Sequence, residues 1–170
     1  MEQLKALTRE QLERLIVDFS KRWLAHDGLW FQAVEQGCGM DEAIKYDREA
    51  WERFTVTEAK RIMEFLALPP NGGLEALDKA LKFRLYAFVN EQITERVDAK
   101  TLVFKMTNCR VQSARIRKYL PDFPCKTVGL VEYANFAKTI DPRIQTRCIA
   151  CPPDPHPQEF HCGWEFTLVE

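Results

Sequence analysis

The apolar residues of this chain change period once, near residue 86, and no single motif constrains the fold as strongly. Upstream they recur at three- and four-residue steps: Leu12, Leu15, Ile16, Phe19, Trp23 and Leu24, then Trp30, Phe31 and Val34. That is the spacing of one helical face. Thr8 and Gln11 are spaced as a capping box, which sets a helix start. HDGLW marks a kink at Gly28. GCGM (37–40) marks a stop, with Asp41 as cap of the next helix. Ala43, Ile44, Asp47, Ala50, Trp51 and Phe54 continue the helical period. A third helix is expected over 57–68. PPNGG breaks it, and a short helix over 74–83 follows.

Downstream the period becomes two. Residues 88–97 put Val89, Glu91, Ile93, Glu95 and Val97 on one face of a strand. DAK turns the chain, and TLVFKMTN returns it with Leu102, Phe104 and Met106 on one face, so a hairpin is expected. CRVQSARIRKYL and KTVGLVEYANFAKTI read as helices separated by PDFP. The second carries Val128, Val131, Tyr133, Phe136 and Ile140 on its apolar stripe. PRIQTRCIA and FHCGWEFTLVE are the third and fourth strands, joined by a proline-rich loop. The expected fold is α+β: a helical part over 1–85, then a four-stranded antiparallel sheet over 86–170. Its order is strand, strand, helix, helix, strand, strand, and the whole forms one compact domain.

Charge excludes some functions. The chain has 170 residues, with 24 basic against 25 acidic, for a net charge of -1. So even a balance argues against a dedicated nucleic-acid binder. The basic run RVQSARIRKY reads as the solvated face of a helix. No apolar run approaches the length of a membrane span, and the N-terminus has no signal-like core. A cytoplasmic location is the expectation. Thiols stay reduced there, so six cysteines do not imply a disulfide framework.

Those cysteines gather in the C-terminal half. Alternation places Cys162, Trp164, Phe166 and Leu168 on the buried face of the last strand. Ile144, Thr146, Cys148 and Ala150 share a face of the third. Cys125 opens one covering helix, and Cys109 ends the second strand where the other begins. Two readings stand. A free cysteine serves well as a small buried hydrophobe. Alternatively, several converging sulfurs suit zinc, which takes about four sulfur or nitrogen ligands. The candidate metal ligands are Cys109, Cys125, Cys148, Cys151, Cys162 and His161. Cys148 and Cys151 can both contribute only if the strand ends at Ala150, which Pro152 favours.

Three carboxylates, Glu35, Asp47 and Glu58, sit amid apolar helical positions. They read either as ion-paired braces, with Arg61 three residues after Glu58, or as acid, base or ligand groups of a pocket between helices and sheet. His26 beside Asp27 reads either as an oriented base or as a solvated kink residue, the second being the simpler. No phosphate cradle, nucleophile elbow or HExxH helix is present.

The stretches FPCKTVGLVEYANFAKTID, TRCIAC and HCGWEF resemble the 4-vinyl reductase domain family over residues 86–170. On that likeness Cys125, Gly129, Cys148, Cys162 and Trp164 occupy family positions. It implies the α+β fold shared with heme nitric-oxide-binding and transport-particle subunits, and a small-ligand-binding or sensory module, often with a cysteine-held metal. The chain departs from that family at CPPDPHPQEFH, where a glycine-aspartate turn is usual. The whole chain, including LWFQAVEQGCGMDEAIKYDREAWERF, is also similar to an uncharacterised prokaryotic cytosolic family related to L-2-amino-thiazoline-4-carboxylate hydrolases. That likeness implies hydrolysis of a small cyclic amidine-like bond. Two functions are therefore expected as alternatives. One is a binding module for a small molecule of unknown identity, with a zinc-holding cysteine site. The other is a small-molecule hydrolase in which zinc activates water. An aromatic-rich helical half is compatible with a homodimer.

Overall fold

The computed structural model describes residues 2–170. A short helix α1 (Glu2–Lys5) precedes a long α2 (Arg9–Cys38). Thr8 caps α2 as its spacing predicts. The hydroxyl accepts from the Gln11 N–H, and the Gln11 side chain accepts from the Thr8 N–H. The helix runs unbroken through Gly28, because one glycine costs only about 1 kcal/mol in a helix. Gly39, at a φ of 88°, then separates α2 from α3 (Met40–Leu66). The start of α3 is therefore set by this glycine rather than by Asp41. Helix α3 is also a single element where two were expected. Thr55, inside the β-branched TVT stretch, is held helical by tertiary contact, its hydroxyl donating to the Glu132 carbonyl at 2.9 Å.

Helix α4 (Gly73–Leu81) follows the PPNGG turn. Its first N–H, from Gly73, donates to the fully buried Asp141 carboxylate at 3.0 Å. A 3-10 turn (Leu85–Phe88) leads into strands β1 (Glu91–Arg96) and β2 (Thr101–Asn108). Helices α5 (Arg110–Arg117) and α6 (Lys126–Ile140) come next, then β3 (Ile144–Ala150) and β4 (Cys162–Leu168). The sheet is antiparallel, in the spatial order β1-β2-β4-β3, so the last strand enters between the hairpin and β3.

One face of the sheet carries Leu102, Phe104, Met106, Ile144, Trp164 and Phe166, all buried. Helices α4 and α6 cover it with Leu74, Leu77, Leu81, Tyr133, Phe136 and Ile140. Helix α3 packs on α6, and α2 packs on α3. The indole of Trp164 lies so close to Gly129 of α6 that a Cβ there would sit 2.6 Å from the ring. Glycine is what lets the helix approach the sheet at that point.

Strand β1 has the expected period, and the face that carries Ile93 is the outward one. Ile93 and Val97 are exposed, and Gln92 and Thr94 face inward. The inward pair is polar because it meets the polar end of α4. Gln92 donates to the Leu81 carbonyl, and Thr94 donates to Asp78. An edge strand tolerates this because only one of its flanks is paired.

Candidate functional site

A cavity of about 380 Å³ opens between α2 and α5. Leu24, Leu29, Phe31, Val111 and Phe123 supply its apolar wall. Exposed Lys21, Arg110, Arg117 and Lys118 stand at its rim. Asp27, Asp47 and the Tyr86 ring lie deeper. Asp47, Tyr86, Val111 and Phe123 also border a second, inner chamber of about 70 Å³. The two spaces adjoin and share these four side chains as walls.

The floor of the inner chamber is sulfur-rich. Cys109, Cys125, Cys151 and Cys162 all line it, with Trp51, Tyr133 and Trp164. Each arrives from a different place: the end of β2, the start of α6, the residue after β3, and the start of β4. The sulfurs of Cys125 and Cys151 are 3.6 Å apart. Strand β3 does end at Ala150, so Cys151 turns inward and is buried. Cys148 and His161 stay outside the chamber. Cys148 is half-buried at the edge of the core, opposite Trp164 in register. His161 turns toward His156, with ring centroids 5.7 Å apart.

Four of the six proposed ligands thus meet at one chamber. Burial pushes the Cys109 thiol up to about 12. Contact with Cys125 and Cys162, together with burial, raises Cys151. Cys109 and Cys151 are therefore neutral thiols rather than ready thiolate nucleophiles. Among the described residues, no group of three or more His, Cys, Asp or Glu side chains is placed to hold a metal ion. The donor set suits zinc, but the sulfurs do not stand as a preformed coordination shell.

The three carboxylates take different roles. Glu35 pairs with Arg115 at 3.1 Å. That arginine, from the supposedly solvated basic run, is buried and also donates to the Pro121 carbonyl. Glu58 pairs with Arg84 rather than Arg61, at 2.9 Å. Arg84 also donates to Glu132 at 2.6 Å, and its guanidinium lies over the rings of Tyr133 and Phe136. Only Asp47 is left at the cavity wall without an ion pair among the described residues. Burial, then the charges of Asp27 and Glu132, raise its carboxyl to about 7, with Trp51 acting the other way. Burial likewise raises Asp27.

Asp27 and Tyr86 were not singled out as site residues by sequence reasoning. Asp27 enters the sequence reading only as the neighbour of His26, because the turn of α2 that faces the cavity is set by α5, which lies more than eighty residues away. Tyr86 had no periodic signal, being in a 3-10 turn.

Fold and cavity define an α+β protein with a surface cavity beside a thiol-lined inner chamber. Residues 5–168 match DUF6125, a family of unknown function, and the chain belongs to that family. No curated protein and no solved structure matches it. The comparisons accordingly return neither the 4-vinyl reductase nor the thiazoline-carboxylate hydrolase resemblance.

Proposed function

We propose that this protein binds a small molecule in the α2–α5 cavity, with the thiol-lined chamber receiving its innermost part. The observation that carries this reading is that the outer cavity and the inner chamber adjoin, sharing Asp47, Tyr86, Val111 and Phe123 as walls. An apolar wall with a few convergent polar groups is the usual make-up of a small-molecule site. A fragment screen read by two-dimensional NMR tests it. Shifts are expected to concentrate on Phe31, Tyr86, Val111 and Phe123, and to vanish in Ala114→Trp, which fills the outer space. Shifts scattered over the surface, or unchanged in that variant, would sink the reading.

A metal-loaded chamber is the second reading, and the Cys125–Cys151 separation favours it. With Zn–S near ~2.3 Å, the sulfurs of a tetrahedral site stand about 3.8 Å apart, close to the 3.6 Å seen here. Cys109 and Cys162 would then have to swing in to complete the set. Protein purified without added metal should carry about one zinc per chain, and Cys151→Ser should lose it together with stability. Metal-free wild type of unchanged stability would remove this reading. A hydrolytic role rests on Asp47, whose carboxyl near 7 suits a general acid or base.

A further inference from the structure

The chemistry of the ligand can be narrowed within that binding reading, on which this inference rests. Asp27 and Asp47 reach the cavity from two different helices, α2 and α3. No lysine or arginine pairs with either among the described residues. The acids elsewhere in the interior are matched: Glu35 by Arg115, Glu58 and Glu132 by Arg84. The rim cations do not neutralise the pair, since Lys21, Arg110, Arg117 and Lys118 are exposed, and charges in water are strongly screened.

A second, independent observation lies on the chamber wall. Trp164 is 0% exposed, and its Nε1–H meets no acceptor. A buried donor without a partner is costly and uncommon in a native interior. Trp164 borders the same chamber as Asp47 and Tyr86. The protein's own groups thus leave negative charge without a cation at the outer cavity and a donor without an acceptor at the adjoining chamber, with Asp47 and Tyr86 common to both.

We propose that the cavity takes a ligand carrying a protonated amine, seated between Asp27 and Asp47, with an acceptor atom directed toward the Trp164 N–H. The amine supplies the missing cation, and ion-paired carboxylates recover in the complex what burial costs them in the free protein. The apolar wall of Phe31, Val111 and Phe123 suits a hydrocarbon or aromatic body between the two polar ends.

Tyramine and tyrosol, in which a hydroxyl replaces the amine, form the test pair, titrated into the full chain at pH 8 and followed by NMR. Tyramine is expected to bind at least tenfold more tightly, moving the Tyr86 amide and the Trp164 indole resonances. That preference should disappear in Asp27→Asn with Asp47→Asn, and persist in the surface control Glu13→Gln. Folding of each variant is checked by its amide spectrum. Equal binding of both probes would overturn the amine assignment while leaving the binding cavity intact. So would a preference that survives the double variant, or one that leaves Trp164 and Tyr86 unmoved. Failure of both probes to bind at millimolar concentration, with the fragment screen also silent, would overturn the cavity reading and this inference together.

Discussion

Arg84→Met is expected to destabilise the fold by about 3–5 kcal/mol at pH 8, the largest effect of any single substitution outside the hydrophobic core. Arg84 is 2% exposed and holds Glu58 and Glu132 together, joining α3 to α6. Glu58 also accepts from the Leu85 N–H at 2.9 Å, so the same carboxylate fixes the turn after α4. Methionine fills much of the volume beside Trp51, Tyr133 and Phe136 but gives up the guanidinium's attraction to their rings. What it leaves is two buried carboxylates with no cation. Burial already raises Glu132 above its ordinary value even with Arg84 attached. Without Arg84, both acids would take up protons in the native state at a pH where the unfolded chain has none. The loss should therefore shrink as pH falls toward 5. Adding Glu58→Gln and Glu132→Gln to Arg84→Met should recover much of the stability. Urea denaturation at pH 5 and pH 8 measures all of this. A cost below about 1 kcal/mol, or one independent of pH, would mean that the triad is not the brace described.

Asp47→Asn is expected to act in the opposite direction, raising stability at pH 8 by about 1–3 kcal/mol. In the folded protein its carboxyl titrates at about 7 instead of 3.8, chiefly because it is buried, and next because Asp27 and Glu132 lie near. Between those two values the native state holds a proton that the unfolded chain has released. Stability is therefore full below about 4 and falls as pH rises through 7. A shift of that size corresponds to about 4 kcal/mol at most, and partial solvent contact through the cavity lowers it. Asparagine has no charge to desolvate. The stability difference between variant and wild type should consequently be small at pH 4 and grow to a plateau near pH 8. Taking the difference cancels the contributions of Asp27 and Glu132 to first order. Parallel pH profiles for the two proteins would refute a buried, uncompensated Asp47. A residue that lowers stability at the pH where it is charged is a common signature of a site kept for binding.

The two effects share one cause with different outcomes. Both Glu132 and Asp47 are desolvated carboxylates of the helical layer above the sheet. Glu132 has a guanidinium 2.6 Å away, and Asp47 has none. Glu132 is thereby part of the scaffold, while Asp47 stands at the cavity wall without a cation among the described residues.

Much of the site was written in the sequence as residue types and little of it as geometry. The strand alternation placed Cys148 and Cys162 on inward faces, and Pro152 marked the strand end that frees Cys151 to turn inward. Alternation could not show that Cys148 would remain at the core edge while Cys109 and Cys125 reached the chamber. That outcome depends on how far α6 slides along the sheet, which the contact of Gly129 with Trp164 sets. Glu35, Asp47 and Glu58 were recognisable as out-of-place acids. Their partners were not, because Arg115 and Arg84 lie 80 and 26 residues away along the chain.

By itself the sequence determined the kinds of element and their order. Apolar periods, the Thr8 cap, the Gly39 break and the turn residues all act within a few positions of the chain, and backbone sterics read them locally. Tertiary structure alone decided the phase of β1, the unbroken run of α3, the pairing of Arg84 and the meeting of four thiols with Asp47 around one chamber. Each of these arises where surfaces distant in the chain come into contact, and there the free energy depends on what a group faces after packing rather than on what precedes it in the chain.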